Sequence, residues 1–191
     1  MVERNSDFQL RRAQISDAPQ LFDLLEELAR FEKLTPPDEA AKNRLLEDGW
    51  GPRKRFDAFL AFVRETEKPV AFCVILESYS TFMARPRLLI EDLYVRPEFR
   101  RRGIGKALVT LCLEEAHRRG CERVECFGLD WNANAHDVYE HLGATQLTEW
   151  FLYRFDKRAI EHHLKPLGVG PKRRSYRPKI RPDFDEETRF R

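Results

Sequence analysis

The segment Arg100-Arg101-Arg102-Gly103-Ile104-Gly105 lies between an aliphatic strand pattern, residues 88–95, and an amphipathic helix pattern that follows it. A helix N-terminus carries unpaired N–H groups and a partial positive charge, which suit a diphosphate. Gly103 and Gly105 would let phosphates approach the backbone without a Cβ in the way. The three arginines and Lys106 add positive charge. The pattern favours a phosphate site, although a glycine loop with a solvated basic rim would use the same residues.

Two other phosphate-binding motifs do not fit this segment. It lacks the Gly-Lys-Ser/Thr ending of the P-loop and the GxGxxG spacing of dinucleotide folds. A dinucleotide fold also requires an acidic residue about twenty positions on, after a second parallel strand. Glu122 and Glu125 lie in that region, but the antiparallel pattern of the first half fits such a fold poorly.

Strand and helix patterns continue on both sides of the segment. Towards the N-terminus we predict a strand at residues 8–11, a helix ending at residue 31, a short helix running towards residue 46, and a hairpin of residues 56–63 and 70–76, followed by a connection at 77–87. Towards the C-terminus we predict a helix from residue 104 that Gly120 ends, a strand at 124–129, a helix at 133–142 and a strand at 150–155. The order predicts an α/β (α+β) fold with a mixed, mostly antiparallel central sheet flanked by helices.

The composition of the chain bounds its class. With 191 residues, 42% hydrophobic and 35% charged, it suits one soluble globular domain. The net charge of +2 gives no reason to expect a nucleic-acid partner. The polar N-terminus lacks a signal-peptide core, and no apolar run is long enough to span a membrane. We therefore expect a cytoplasmic protein that does not bind membranes.

Four cysteines, Cys73, Cys112, Cys121 and Cys126, occur without CxxC spacing and without clustered histidines. They are typical of small apolar side chains in a reducing compartment, and no metal site is expected. Residues 158–191 differ from the rest, because many lysines, arginines and prolines precede an acidic end. We predict an extended or disordered basic extension after a domain at residues 8–157. It could alternatively wrap a neighbouring subunit or contact an anionic partner.

Several motifs together resemble one enzyme family. The segment 100–105 resembles the acetyl-CoA signature R/Q-x-x-G-x-G/A of the GNAT N-acetyltransferases. More narrowly, the chain resembles the spermidine/spermine acetyltransferase branch, which includes the thialysine acetyltransferases, at Glu27-Leu28-Ala29-Arg30-Phe31-Glu32, Leu45-Leu46-Glu47-Asp48-Gly49-Trp50-Gly51, Glu91-Asp92-Leu93-Tyr94-Val95 and Asp130-Trp131-Asn132. The resemblance covers roughly residues 8–157, in order and with compatible spacing.

The resemblance implies the GNAT fold, a homodimer with active sites near the subunit interface, and acetyl-CoA as co-substrate in a cleft between two splayed strands. It places the cofactor against the backbone of Leu93, Tyr94 and Val95, the segment Arg100, Arg101, Arg102, Gly103, Ile104, Gly105 and Lys106, and the residues Asn132, Ala133, Asn134 and Ala135. It places the amine against Phe31, Glu32, Glu91, Asp92, Glu125, Cys126 and Phe127. Tyr139 occupies the position of the general acid.

The chemistry of the reaction supports these roles. A primary amine with a pKa of about 10 is almost wholly protonated at neutral pH, and only its free base attacks a thioester. A carboxylate can remove that proton directly or through water. We expect Glu91 to act as the base, with Asp92 as the alternative, since adjacent strand residues face opposite sides. Strand N–H groups can stabilise the oxyanion, and the Tyr139 hydroxyl can protonate the departing thiolate, although helix packing alone would also explain this tyrosine.

We therefore predict acetyl transfer from acetyl-CoA, by direct attack, to a primary amine of a small polyamine-like or lysine-like acceptor. Two alternatives remain on the sequence: a protein or peptide amine as acceptor, and a non-catalytic regulator that binds acyl-CoA. Arg85 and Arg87 make residues 77–87 basic, which weighs against spermidine or spermine as the acceptor.

Overall fold

The computed structural model describes residues 7–64, 66 and 68–164. Its strands are β1 (Phe8–Arg12), β2 (Asp57–Val63), β3 (Pro69–Ser80), β4 (Arg85–Val95) and β5 (Val124–Cys126). Its α-helices are α1 (Ala18–Phe31), α2 (Glu39–Trp50), α3 (Ile104–Arg118), α4 (Ala133–His141) and α5 (Lys157–Leu164). The strands form one sheet in the order β1-β2-β3-β4-β5, with β4 and β5 parallel and the other neighbours antiparallel. This arrangement confirms the predicted mixed sheet flanked by helices.

Each face of the sheet carries its own core. Helix α1 buries Leu21 and Leu24 against Leu60 and Phe72 on one face. Helix α3 buries its apolar stripe, which includes Leu108, among strand residues on the other face. Side chains of a strand alternate between faces, so the central strands supply both cores and are apolar almost throughout.

A β-bulge in β4 decides which side chains face the cleft region. Val74 pairs with Asp92 while the next residue, Ile75, pairs with Ile90, so Glu91 is left without a partner in β3. The extra residue shifts the alternation by one position. Ile90 accordingly packs in the α3 core, whereas Tyr94, four residues later, packs in the α1 core.

The parallel strands β4 and β5 pair over a short length only. Their register runs from Leu88 with Val124 to Ile90 with Cys126, while β4 continues to Val95. The two strands therefore diverge after Cys126, and the predicted strand at 124–129 is three residues too long. Residues beyond the point of divergence have no ladder with β4 to hold them as strand.

The predicted connection at 77–87 is also wrong, because β3 and β4 continue through it as a hairpin. Ser78 pairs with Arg87 and Ser80 with Arg85, and the Arg87 Nε–H donates to the Ser78 hydroxyl at 2.8 Å. Only the tip remains as a turn, with Phe82 exposed. The polar character of these residues reflects a hairpin that extends beyond the core rather than a loop.

Residue contacts divide the chain into two units, Met1–Gln146 and Leu147–Arg191. In the second unit, the predicted strand at 150–155 is not formed, since residues 151–156 have no regular secondary structure.

The extended state predicted from residue 158 is wrong as far as Leu164, because α5 covers that part. Its first turn is capped by Asp156, whose Oδ1 accepts from the Ala159 N–H at 2.8 Å. The remainder of that prediction, residues 165–191, lies outside the described residues. None of the helices in the described part is long and apolar enough to cross a membrane.

Candidate active site

A cleft of about 480 Å³ lies where β4 and β5 diverge. The end of β4, the turn after it and the first turn of α3 form one wall, α4 forms the other, and Phe31 contributes from the end of α1. Most predicted cofactor contacts line it: Leu93, Tyr94, Val95, Arg100, Arg101, Gly103, Ile104, Gly105, Lys106, Asn132, Asn134 and Ala135, together with Tyr139. Phe99, Asp137, Val138 and His141 also line the cleft and were missed by the sequence analysis. The spacing from Asn134 to His141 along α4 could have identified three of them as one helix face.

The N-terminus of α3 has several features that suit an anion site. Gly103 is the N-cap and adopts a left-handed backbone, φ 81°, which favours glycine. It has no side chain to cap the helix, so the N–H groups of the first turn remain available to a ligand. A Cβ at Gly105 would have only the Val95 side chain, at 3.8 Å, as a close neighbour. Exposed Arg101 and Lys106 flank this open backbone, so the residues present fit the diphosphate of a CoA thioester.

The three arginines of the segment take different positions. The Arg100 Nε–H donates to the Val95 carbonyl at 3.0 Å, and its guanidinium lies 4.8 Å from the centroid of the Phe31 ring and 5.9 Å from that of Tyr94. Arg102 lies over Phe99 at 5.8 Å and is not among the cleft residues. Arg100 thus engages the strand and the aromatic rings in the cation–π geometry. A carbonyl oxygen has two lone pairs, so Val95 keeps one for a further donor.

Tyr139 lies on α4 and packs against the α3 core. Cys126, the last paired residue of β5, packs against the same core. Burial raises the pKa of Tyr139, and the neighbouring thiols of Cys126 and Cys73 raise it further. The hydroxyl therefore keeps its proton well above neutral pH, as an acid in the reaction must.

Three carboxylates gather beside the cleft, next to Phe31 and Leu93. Because the bulge precedes Asp92, its side chain faces the same side of the sheet as that of Tyr94, which is the side of α1. Glu32 directly follows the end of α1. Burial raises the pKa of Asp92 to about 6, and the charges of Glu91 and Glu32 contribute. Burial also raises the pKa of Glu32. Glu91 is exposed. A half-buried carboxylate that titrates near neutrality is suited to act as a general base.

Three predicted amine contacts, Glu125, Cys126 and Phe127, and one predicted cofactor contact, Ala133, do not line the cleft. Both oxygens of Glu125 are paired with arginines, with Arg87 at 2.7 Å and with Arg123 at 2.8 Å. Phe127 lies beyond the end of β5 and is exposed, and Ala133 is exposed at the start of α4 without lining the cleft. Cys126 packs against the α3 core and does not line the cleft.

Trp131 is an aromatic side chain that the predicted contacts did not include. Its ring meets that of Phe31 edge-on, with 5.3 Å between centroids. The contact joins the end of α1 to the loop between β5 and α4, so it links the carboxylate side of the cleft to the α4 wall. Its place in the Asp130-Trp131-Asn132 motif was the available signal.

Comparison with known proteins supports the same assignment. Residues 18–144 match the acetyltransferase (GNAT) family. The thialysine N-epsilon-acetyltransferase of Bos taurus is 34% identical over 160 residues, which cover 79% of this chain and 94% of that protein. The spermidine/spermine N(1)-acetyltransferase-like protein 1 of Homo sapiens is 28% identical over 161 residues, 80% of this chain and 23% of that protein.

Among solved structures, an integron cassette protein from V. cholerae aligns with a TM-score of 0.71 at 19% identity, covering 84% of this chain and 99% of that one. This likeness concerns the fold alone. The sequence matches, together with a sheet that opens at β4 and β5 onto a glycine-capped helix, establish that the chain belongs to the acetyltransferase (GNAT) family, within the branch of the thialysine and spermidine/spermine acetyltransferases.

Proposed function

We propose that the protein transfers the acetyl group of acetyl-CoA to a primary amine of a small polyamine-like or lysine-like acceptor. The observation that carries the proposal is the half-buried carboxylate Asp92, with a pKa raised to about 6, beside a cleft that has an anion-binding helix end. Such a carboxylate is ionised at neutral pH and still basic enough to accept a proton. Two relatives support an acceptor of this class by their names. One is a thialysine N-epsilon-acetyltransferase, and the other is a spermidine/spermine N(1)-acetyltransferase-like protein.

Acetyl-CoA supplies an activated acetyl thioester. The first-turn N–H groups of α3, with Arg101 and Lys106, would hold its diphosphate, and the free edge of β4 from Leu93 to Val95 would hydrogen-bond its amide-containing arm. Asn132, Asn134 and Ala135 would bound the other side. Tyr139 lines the same cleft, so it would be available to an acetyl thioester held in this way.

The acceptor arrives as an ammonium ion, which the carboxylates of Asp92 and Glu32 attract. Asp92 takes one proton from the ammonium, either directly or through water, and the free amine attacks the acetyl carbon. Backbone N–H groups on the unpaired edge of β4 stabilise the oxygen that becomes negative during the attack. The C–S bond then breaks, and Tyr139 gives its proton to the sulfur. The nitrogen loses its second proton, which returns to Tyr139 directly or through water. One amide and one thiol are formed, and the proton held by Asp92 returns to solvent.

The basic hairpin does not oppose a cationic acceptor. Arg87 is paired with Glu125 at 2.7 Å and Arg85 with Glu122 at 3.6 Å, so the charges of these two arginines are balanced by neighbouring carboxylates. Neither arginine lines the cleft. Arg85 and Arg87 therefore give no reason to exclude spermidine and spermine, and both diamino acids and polyamines remain within the proposed class.

We also propose a homodimer, located in the cytoplasm. The run from Trp150 to Phe155 supports the dimer, because five of its six residues are apolar or aromatic and strongly exposed, among them Trp150 and Phe151 at 75%. Exposed apolar surface of this kind is typical of an interface. The four free thiols suit a reducing compartment.

A panel of amines tests the proposal. Release of CoA from acetyl-CoA would be measured with polyamines, lysine-like diamino acids, amino sugars and lysine-containing peptides, with separation of the products by chromatography. We expect kcat/KM for the best small diamine or polyamine to exceed that for any peptide by at least about tenfold. Highest activity on peptides would replace the acceptor class, and tight CoA binding without turnover on any amine would favour a regulator.

A further inference from the structure

Helix α4 packs on the body of the protein through its second half. Val138 and Tyr139 contact the α3 core. Among the described residues, neither core includes a side chain from the first half of the helix, residues 133–136. That half nevertheless supplies two residues that line the cleft, Asn134 and Ala135. Contacts outside the cores must therefore fix this part of the cleft wall.

His136 makes such a contact with the connection from β5 to α4, residues 127–132. Its Nε2 lies 2.9 Å from the carbonyl oxygen of Leu129, and because a carbonyl only accepts, Nε2 carries the donated proton. The same carbonyl accepts from the Asn132 N–H at 2.9 Å, so both of its lone pairs are used. The two hydrogen bonds tie the connection to the N-cap and to the fourth residue of α4.

Gly128 leaves room for the imidazole ring. A Cβ at this position would lie 3.1 Å from Cε1 of His136 and 3.5 Å from its Nδ1. The first of these distances is shorter than the roughly 3.5 to 4.0 Å of an ordinary carbon–carbon contact. The backbone of Gly128 does not itself require glycine, because its φ lies outside the left-handed region. The absence of a side chain therefore matters for the ring, which packs directly on the backbone of the connection.

We propose that His136 is a positioning residue for acetyl-CoA: packed on Gly128 and bonded to the Leu129 carbonyl, it fixes the first half of α4 as the far wall of the cleft. The inference rests on the proposed function of the cleft as the acetyl-CoA site. His136 does not itself line the cleft, so it acts through the helix.

The need for such a residue follows from the divergence of the strands. Within the described part of the chain, the ladder between β4 and β5 ends at Cys126. The connection and the start of α4 therefore depend on local contacts for a fixed position. A wall without a fixed position would have to be ordered by the ligand, and the entropic cost of that ordering would weaken binding. Because His136 orders the wall beforehand, we expect it to affect the binding of acetyl-CoA rather than the chemical step.

Substitutions of His136 test the inference. His136→Ala removes the ring and its hydrogen bond, whereas the side-chain amide in His136→Gln can still donate to the Leu129 carbonyl. We expect His136→Ala to raise the Kd and the KM for acetyl-CoA about fivefold, the effect of one ordinary hydrogen bond, with kcat within about twofold of the wild type. His136→Gln should restore both constants to within about twofold of the wild type. The matched control is His117→Ala, an exposed histidine of α3 that does not line the cleft, and it should leave all constants unchanged.

Gly128→Ala changes the same contact from the other side. The new Cβ requires the ring to shift by a few tenths of an ångström, and we expect the Kd for acetyl-CoA to rise about threefold. In a protein that already carries His136→Ala, the added methyl group meets no ring and should have no further effect. The two changes should therefore be non-additive in a double-mutant cycle. Additive effects would overturn the assigned contact.

Amide hydrogen exchange measures the order of α4 without acetyl-CoA and without turnover. We expect residues 133–138 to exchange faster in His136→Ala than in the wild type or in His136→Gln, with exchange in α3 unchanged. Either an unchanged Kd for acetyl-CoA or an unchanged exchange pattern would overturn the inference, as would equal losses in the Ala and Gln variants. A wild-type protein that does not bind acetyl-CoA would overturn the proposed function instead, and the exchange would still decide whether His136 fixes α4.

Discussion

Asp92 is the residue on which the proposed proton removal depends. Asp92→Asn should lower kcat/KM for the amine about 100-fold near pH 7, with little change in the affinity for acetyl-CoA. In the wild type, activity should fall as the pH decreases through about 6, because the base is then protonated. Steady-state kinetics from about pH 5 to about pH 9, a range that includes this pKa, check the pH dependence. Calorimetry measures the binding of acetyl-CoA.

The same substitution has an opposite effect on stability. Because folding raises the pKa of Asp92, ionised Asp92 destabilises the native state, and this penalty develops as the pH rises from the ordinary carboxyl value through about 6. Asp92→Asn should therefore increase the free energy of unfolding at pH above that value by about 1 to 3 kcal/mol. Glu91→Gln is the matched control, since Glu91 is exposed at the bulge. Equal kinetic losses in both variants would contradict the assignment of Asp92.

Tyr139→Phe removes the proposed acid while keeping the ring that packs against the α3 core. A thiol is already a fair leaving group, so kcat should fall by about 100-fold, the low end for acid–base catalysis. Binding of acetyl-CoA, measured by calorimetry, should be nearly unchanged. Turnover equal to that of the wild type would contradict the role of Tyr139.

At the residue level, the sequence identified Glu91 and Asp92 as a pair and we expected Glu91 to be the base, whereas the half-buried position of Asp92 and its raised pKa are the reasons for proposing Asp92 instead. The alternation of side chains along a strand predicts that the two residues face opposite sides of the sheet. Which residue faces which side depends on the bulge, and the bulge results from the pairing with β3. Glu125 shows the same limit, because its two arginine partners lie on β4 and just before β5. The glycine turn was predictable, since a left-handed Gly103 at a helix start is a local feature.

At the scale of elements, a cluster of charges ties the end of α3 to the start of β2. Asp57 accepts from the Arg119 Nη2 at 2.6 Å and also contacts Arg12 and Lys54. Burial alone would raise the pKa of Asp57, but hydrogen bonds from Lys54 and Arg119 and the charge of Arg12 lower it to about 2. Glu115 shares the cluster, with 3.0 Å between its Oε2 and the Arg119 Nη2.

Asp57→Asn should lower the free energy of unfolding by about 2 kcal/mol at neutral pH. The folded pKa is depressed, so this contribution is complete above the unfolded value near 4 and is lost as the pH falls towards 2. Urea unfolding of both proteins at several pH values should show the difference shrinking over that interval. Asp48→Asn, which removes only an exposed pair with Arg55, should cost less than about 1 kcal/mol. A difference for Asp57→Asn that does not change with pH would contradict the charge-based account.

Helices were easier to predict than strand ends. Helix α3 follows its apolar face from Ile104 to the stop at Gly120, whose φ of 67° suits glycine, and both signals are local. The ends of β3, β4 and β5 depend on the partner strand instead. Strand β3 continues to Ser80 because it pairs with β4 in the hairpin, and β5 ends at Cys126 because it diverges from β4. Neither end can be predicted from the local periodicity of the sequence.

At the scale of the whole molecule, the sequence predicted the family, the sheet and most of the residues that line the cleft, but not the second unit. The predicted domain at 8–157 stays a prediction, while residue contacts divide the chain between Gln146 and Leu147. Alternating apolar residues at 150–155 predicted a strand, yet a strand requires a hydrogen-bonding partner. Within the described residues none pairs with this run.

The exposed run therefore provides the last prediction, which concerns assembly. If a second copy covers it, Trp150→Lys combined with Leu152→Lys should convert a dimer into a monomer, because each substitution places a charge in surface that association would desolvate. Light scattering coupled to size exclusion measures the mass, and circular dichroism checks the fold. Phe82→Ser, at the exposed hairpin tip, is the control and should leave the dimer intact.

The monomeric variant also tests whether the amine site is completed by the partner. All residues that line the proposed acetyl-CoA cleft lie before Leu147, so the affinity of the variant for acetyl-CoA should stay within about threefold. If the active sites lie near the subunit interface, kcat/KM for the amine should fall by at least about tenfold. A wild-type protein that is monomeric at assay concentration would contradict the dimer. A monomeric variant with full activity would show instead that each copy of the chain contains a complete site, with Asp92, Tyr139 and the α3 N-terminus sufficient for both substrates.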